Sequence, residues 1–184
     1  MKIAILTPGG VDRSGTGKVI PCLLALIERL ARRGHEVHVF AAAQEPEPGQ
    51  WPLLGATVRN AGRAPFDVVH AFWARYGAVA ALLRLIIRVP VVLTLPGGDV
   101  TDLREIGYGS LISRRGRLGL HLAAAAAGAI NTPCRFMQAL AAAEGIEAEV
   151  LPLGADRAAF PPALPRRRAA EQRCASSMLP ASIG

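Results

Sequence analysis

Three clusters in this sequence carry residue types capable of chemistry. The first is "LTPGGVDRSGTGKVIP" (Leu6 to Pro21), with glycines at 9, 10, 15 and 17, hydroxyls at Thr7, Ser14 and Thr16, and Lys18. The second is His70 at the end of "FDVVHA", and the third is "LPGGD", with Gly97, Gly98 and Asp99. A glycine loop that opens a helix lets backbone N–H groups approach an anion closely, and the positive end of the helix dipole favours negative charge there. The alternative use of such a loop is a plain strand-to-helix turn.

Known phosphate cradles test the first cluster. A P-loop requires G-x-x-x-x-G-K-[ST]. Anchored on Gly17-Lys18, its first glycine falls on Asp12 and its hydroxyl on Val19, so the pattern fails twice. The dinucleotide fingerprint G-x-G-x-x-G starts on Gly15 and Gly17 but then meets Ile20, and no acidic residue closes the next strand to hold a ribose. The loop is therefore a generic anion site or a turn. Asp99, following a glycine turn, suits either acceptance of substrate hydroxyls or helix capping. A histidine at a strand end, such as His70, more often serves as a hydrogen-bonded structural residue than as a base.

The elements that position these residues follow from periodicity. "KIAILT" (Lys2 to Thr7) is a short apolar run ended by Pro8-Gly9-Gly10, which predicts a buried strand and a loop. From Val19 the period becomes helical: Ile20, Leu23, Leu24, Ile27 and Ala31 share a face, Pro21 fits the first turn, and Gly34 fits the cap. Strands are predicted at His35 to Ala43, weakly at Ala56 to Asn60, then at Phe66 to Ala71, Val89 to Leu95, Gly128 to Thr132 and in "EAEVLPL". Helices are predicted from about Arg75 to Arg88, in one or two pieces over Leu111 to Ala127, and in "PCRFMQALAAAEG" with Pro133 at its first position. Apolar strands alternating with helices specify an α/β fold, a Rossmann-like doubly wound parallel sheet covered on both faces. Ligands of such sheets bind beyond the carboxyl ends of the strands, and all three clusters fall on that edge.

Bulk properties agree. A chain of 184 residues forms one domain rather than two. Its 51% hydrophobic and 5% aromatic content imply a core of Ala, Val, Leu and Ile. Twenty-one Lys and Arg against 14 Asp and Glu give +7, which favours anionic partners. Cys22, Cys134 and Cys174 lie far apart, without C-x-x-C, so neither a disulfide framework nor a zinc knuckle is indicated and a cytoplasmic location fits. The longest apolar stretch, Leu118 to Ile130, falls short of the roughly 20 residues of a membrane span. There is no stacking platform or helix-turn-helix spacing for nucleic acid. No D-x-D or histidine cluster suggests a metal. Basic helix faces at Arg29, Arg32 and Arg33, or at Arg114, Arg115 and Arg117, could meet anionic lipid at the inner face of a membrane. Residues 163–184, with prolines, an arginine triplet and no apolar period, read as a disordered tail following a domain of residues 1–162.

The order of segments resembles the N-terminal domain of the family 4 (group 1) glycosyltransferases, which have the GT-B fold of two Rossmann-like lobes. The resemblance rests on "MKIAILTPGG…SGTG", "LLALIERLARRGHEVHVF", "FDVVHAF", "VPVVLTLPGGDV" and "AGAINTPCRFMQALAAAEGIEAEVLPLGADRAAFPP", and covers Met1 to about Pro162. It implies a mainly acceptor-side lobe whose first loop, with Gly15, Gly17 and Lys18, approaches the diphosphate of a nucleotide-sugar donor. It also implies that His70, Gly97, Gly98 and Asp99 lie in the cleft, with Asp99 the catalytic candidate. Two motif positions depart from the family. Pro96 stands where T-x-H-G-x-D has histidine, and Phe72 where D-V-V-H-x-H has its second histidine. The family's donor-binding lobe, with a basic pair and an E-x7-E element, has no counterpart in these residues. The resemblance thus implies a retaining hexosyl transferase without a cofactor, acting on a glycan or lipid-linked acceptor and inactive without a C-terminal domain. The alternative is a non-catalytic binding module, or a subunit completed in trans by a separate C-terminal chain.

Overall fold

The structure is a computed structural model that describes residues 1–7, 21–41, 57–58 and 65–154. The strands are β1 (Lys2–Thr7), β2 (Glu36–Ala41), β3 (Val68–Phe72), β4 (Val91–Thr94), β5 (Ala129–Thr132) and β6 (Glu149–Val150). They pair in the order β2-β1-β3-β4-β5-β6, every pair parallel. The helices are α1 (Pro21–Arg32), α2 (Gly77–Ile87), α3 (Arg114–Ala126) and α4 (Arg135–Ala143). This is the predicted doubly wound α/β arrangement.

Alternation along each strand sorts the core into two layers. Ile3, Ile5 and Phe72 pack with Leu23, Leu26, Ile27 and Leu30 of α1. Ala4, Leu6, Val69, Ala71, Val91 and Leu93 point to the other face, against Val79, Ala80 and Leu83 of α2 and Leu120 and Ala123 of α3. The small residues Ala4, Ala71, Ala80 and Ala123, all buried, let helices sit close to the sheet, as the aromatic-poor composition requires.

Local signals explain the termini. Pro21 opens α1. Its end is a Schellman closure: the His35 N–H donates to the Leu30 carbonyl and the Gly34 N–H to the Ala31 carbonyl, with Gly34 left-handed at φ 81°. The Ser113 hydroxyl accepts the Gly116 N–H at 3.0 Å and so starts α3. A side chain at Gly116 would stand 1.9 Å from the Ser110 carbonyl oxygen, so the preceding turn requires glycine there.

Three local expectations are corrected. Thr57 and Val58, the described part of the expected weak strand, are helical. Val58 packs on the main core, and that tertiary contact outweighs its β preference. Pro133 precedes α4 instead of opening it, because Cys134 is extended and caps the helix. The last strand shrinks to Glu149–Val150, which pair with Asn131 and Thr132 of β5, its neighbour among the described residues. Among the described residues no helix is long and apolar enough to cross a membrane.

Candidate functional site

Strand order reverses between β1 and β3: the chain first goes outward to β2, then returns and proceeds the other way. A parallel sheet opens a crevice at the carboxyl end of such a switch point, because the two flanking loops diverge. Thr7 ends β1 there, wholly buried, and its hydroxyl has no partner among the described residues. Gly15, Gly17 and Lys18 follow β1 in the sequence and lie outside the described residues.

On the other side of the switch point, Trp73 follows β3 with φ 71°, a conformation that costs a bulky residue free energy and persists only when neighbours enforce it. Its N–H donates to the Thr94 carbonyl at 3.0 Å and its carbonyl accepts from the Tyr76 N–H at 3.1 Å. The resulting turn, Ala74–Tyr76, delivers the Ala74 N–H to Asp99 Oδ1 at 2.9 Å. Asp99 thus bridges the loops after β3 and β4.

Asp99 is 2% exposed. Its Oδ2 is buried and has no partner among the described residues. Burial pushes the carboxyl up to about 6, against the opposing pull of the Ala74 and Asp99 backbone N–H groups and the Arg75 charge. A carboxyl poised near neutrality can take up or release a proton at physiological pH. In the arrangement seen, however, Oδ2 is enclosed, so contact with a substrate hydroxyl requires the loop after β4 to shift.

His70, Thr94 and Asn131 form a chain across three strands. His70 Nε2 lies 2.7 Å from Thr94 Oγ1, and the Thr94 hydroxyl donates to Asn131 Oδ1 at 2.9 Å. Because the threonine proton is committed to Asn131, Nε2–H donates to Thr94, which leaves Nδ1 as the acceptor. Burial lowers the His70 pKa to about 4, so the ring is neutral at pH 7. Phe72 stacks on it at 4.4 Å between ring centres. This histidine can accept a hydrogen bond from a ligand but adds no positive charge opposite a phosphate.

Gly97 and Gly98 carry the turn after β4. Gly97 has φ 157° and ψ −71°, outside the regions open to residues with a Cβ. A side chain at Gly98 would come within 3.2 Å of the Tyr108 hydroxyl, so its absence lets Tyr108 lie against the loop. Tyr108 is held by an antiparallel bridge to Leu103 and is half-exposed. The structure therefore brings His70, Gly97, Gly98 and Asp99 to one sheet edge. It keeps Thr7 of the first cluster at that edge and adds Trp73, Thr94, Tyr108 and Asn131, which the sequence reading passed over. Trp73 had a usable signal, as an aromatic two residues beyond a predicted strand; the others are defined by register and loop packing. Among the described residues no group of three or more His, Cys, Asp or Glu could hold a metal ion.

Comparisons with known proteins agree with this architecture. The model of the family described as "Glycosyl transferase 4-like domain" matches residues 47–154. No curated protein matches the sequence. Among solved structures, Anabaena HepE in complex with UDP and glucose superposes with a TM-score of 0.55 at 21% identity, over 85% of this chain and 45% of that one. HepE in complex with UDP-glucose gives 0.55 and 21%, over 85% and 44%. S. aureus MnaA with UDP gives 0.50 and 13%, over 79% and 41%. At these identities the likeness is one of fold, and the chain spans less than half the length of each of these neighbours.

Proposed function

We propose, from the premise that this chain belongs to the Glycosyl transferase 4-like family, that it forms the acceptor-side lobe of a nucleotide-sugar-dependent glycosyltransferase. The reaction is transfer of a hexosyl group to a hydroxyl of a glycan or lipid-linked acceptor, with retention at the anomeric carbon. The observation that carries this reading is the reversal of strand order between β1 and β3, with Thr7, Trp73 and the Asp99-tethered turn at its carboxyl edge. The UDP and UDP-glucose held by the structural neighbours support a nucleotide-sugar as the donor.

Each residue then has a task set by its chemistry. The departing diphosphate calls for fixed dipoles and cations that stabilise the charge that develops, a task assigned from the sequence to Gly15, Gly17 and Lys18, which lie outside the described residues. Gly97 and Gly98 let the backbone after β4 approach the sugar. Asp99 Oδ2, unpartnered among the described residues, receives the acceptor hydroxyl when its loop shifts, and a pKa of about 6 suits it to take that proton. Neutral His70 accepts a further hydroxyl on Nδ1.

A single wall neither excludes water nor surrounds the leaving group, so turnover needs a second, donor-binding lobe. A C-terminal glycosyltransferase domain supplies it, in trans where it resides on another chain. The test is an activity assay of the 184-residue chain with UDP-glucose and other nucleotide-sugars against a broad acceptor panel, alone and with such a domain added or fused. The expected result is no transfer alone and transfer with the second lobe that shows a limb near pH 6, with transfer lost in both Asp99→Ala and Asp99→Asn. Robust turnover by the chain alone overturns the one-lobe reading. Nucleotide-sugar binding without transfer in the completed pair favours the non-catalytic module.

A further inference from the structure

We infer that the ring of Tyr108 is a binding platform for a neutral pyranose, held beside the turn that carries Asp99. The inference takes its setting from the acceptor-side reading and deepens it, by naming a specificity-determining residue and the chemical class it selects. The backbone after β4 builds the platform. Leu103 and Tyr108 exchange both of their main-chain hydrogen bonds: the Leu103 N–H donates to the Tyr108 carbonyl at 2.9 Å and the Tyr108 N–H to the Leu103 carbonyl at 3.0 Å. Residues paired in this way project their side chains from the same face of the ribbon. Gly107, left-handed at φ 65°, closes its bend. Gly109, at φ 119°, brings the returning chain against Thr101, where a Cβ would stand 2.1 Å from the Thr101 carbonyl oxygen.

The ribbon is also fastened to the turn before it. The Thr101 hydroxyl donates to the Gly98 carbonyl at 3.2 Å, and the Leu111 N–H donates to the Thr101 carbonyl at 3.2 Å. The phenolic end of Tyr108 lies against Gly98, the residue before Asp99, in the space that a side chain at Gly98 would fill. These ties fix the ring in place, yet Tyr108 is 51% exposed, and Leu103 and Ile106 of the same ribbon are exposed with it. An anchored aromatic ring left in water beside a buried carboxyl suits a ligand with one apolar face. The C–H groups on one face of a pyranose meet the negative face of an aromatic ring, while the hydroxyls around its edge stay free to reach polar groups.

Size and charge select the sugar over other occupants. One aromatic and two aliphatic side chains match a single sugar ring and fall far short of the roughly 800 Å² per partner that a stable protein interface takes. Residues 101–109 carry one arginine, Arg104, against Asp102 and Glu105, so the ribbon is net negative in a chain of +7. The Arg104 guanidinium is already committed to both Asp102 oxygens, with its Nε at 2.9 and 3.2 Å from them. A diphosphate or an anionic headgroup meets repulsion there, and a neutral sugar does not.

The test is ligand-observed saturation-transfer NMR on the 184-residue chain, with methyl hexopyranosides of the gluco, galacto and manno series as probes and sorbitol as the acyclic control. Saturation of a pyranoside and not of sorbitol is expected, strongest on the ring C–H protons of one face. Tyr108→Ala should weaken that binding about tenfold, the equivalent of about 1.4 kcal/mol. Tyr108→Leu keeps apolar bulk but not the aromatic face and should weaken it comparably, with a circular dichroism spectrum matching the parent. Tyr108→Phe keeps the ring and should bind within about twofold of the parent. Phe136→Ala, which removes an exposed aromatic from α4, should change nothing. Saturation of no pyranoside overturns the inference, as does equal saturation of sorbitol, unchanged binding in Tyr108→Leu, or binding lost through Phe136 and not through Tyr108. Where a Tyr108 variant misfolds, the one-face pattern on the parent chain decides. Failure of the acceptor-side reading gives a different result: pyranosides bind through Tyr108, but the completed two-lobe pair transfers no hexose to them.

Discussion

Replacing Asp99 by asparagine separates the cost of its buried charge from the value of its hydrogen bond. The amide oxygen can still accept the Ala74 N–H, so the bridge between the loops after β3 and β4 survives. Its ionisation does not. Burial raises the Asp99 pKa from 3.8 to about 6 in the folded chain. The native state therefore binds the proton more tightly than the unfolded state, and stability falls as pH rises between those two values. The change corresponds to about 3 kcal/mol, fully expressed above the folded pKa and absent below the unfolded one. Other titrating groups act on both proteins alike. The informative quantity is thus the difference in unfolding free energy between Asp99→Asn and the parent, from urea titrations followed by circular dichroism across pH 3.5 to 8. That difference should rise by about 3 kcal/mol from the acid to the neutral end, with its midpoint between the two pKa values. Parallel curves would refute the reasoning, since they would mean that Asp99 is hydrated or paired. A variant that gains stability near neutrality while losing transfer in the completed enzyme would mark the buried carboxyl as retained for chemistry.

His70 should produce the opposite slope. Its pKa falls from 6.5 to about 4 on folding, so its contribution is complete above the unfolded value and is lost as pH drops toward the folded one; the parent minus His70→Gln difference should increase by up to about 3 kcal/mol from pH 4 to 7 in the same titrations. Thr94→Val leaves His70 Nε2 and Asn131 Oδ1 without their shared partner and should cost about 2 kcal/mol in urea unfolding. Gly116→Ala meets the Ser110 carbonyl at 1.9 Å and should destabilise by at least about 2 kcal/mol, whereas Gly119→Ala, three residues on with nothing within 4 Å, should stabilise α3 by about 1 kcal/mol; thermal melts distinguish the two signs. Leu83→Ala, in a fully buried position between α2 and the sheet, should cost about 3 kcal/mol.

Much of the scaffold was legible in the sequence alone. β1, α1 with its Gly34 closure, β3, β4, α2, α3 and β5 all follow from local information: apolar runs too short for helices, a helical period in α1, and proline or glycine at the ends. A parallel sheet follows in turn, because apolar strands separated by helices can bury both faces in no simpler way. His70, Gly97, Gly98 and Asp99 were placed on the carboxyl edge by the same reasoning. What the sequence could not supply is which of those edge groups meet. The Asp99 bond to the Ala74 N–H joins residues 25 apart, and the bond from Thr94 to Asn131 joins residues 37 apart. Such pairings depend on strand order and register, which period-two patterning leaves open because every apolar strand looks alike from within. Val58 is helical for the related reason that packing on a distant core outweighs its own preference. Charge and burial of the site groups belong to the tertiary level too: an aspartate after a glycine turn is ordinary in sequence, and only the neighbours that close over it move its proton toward neutrality.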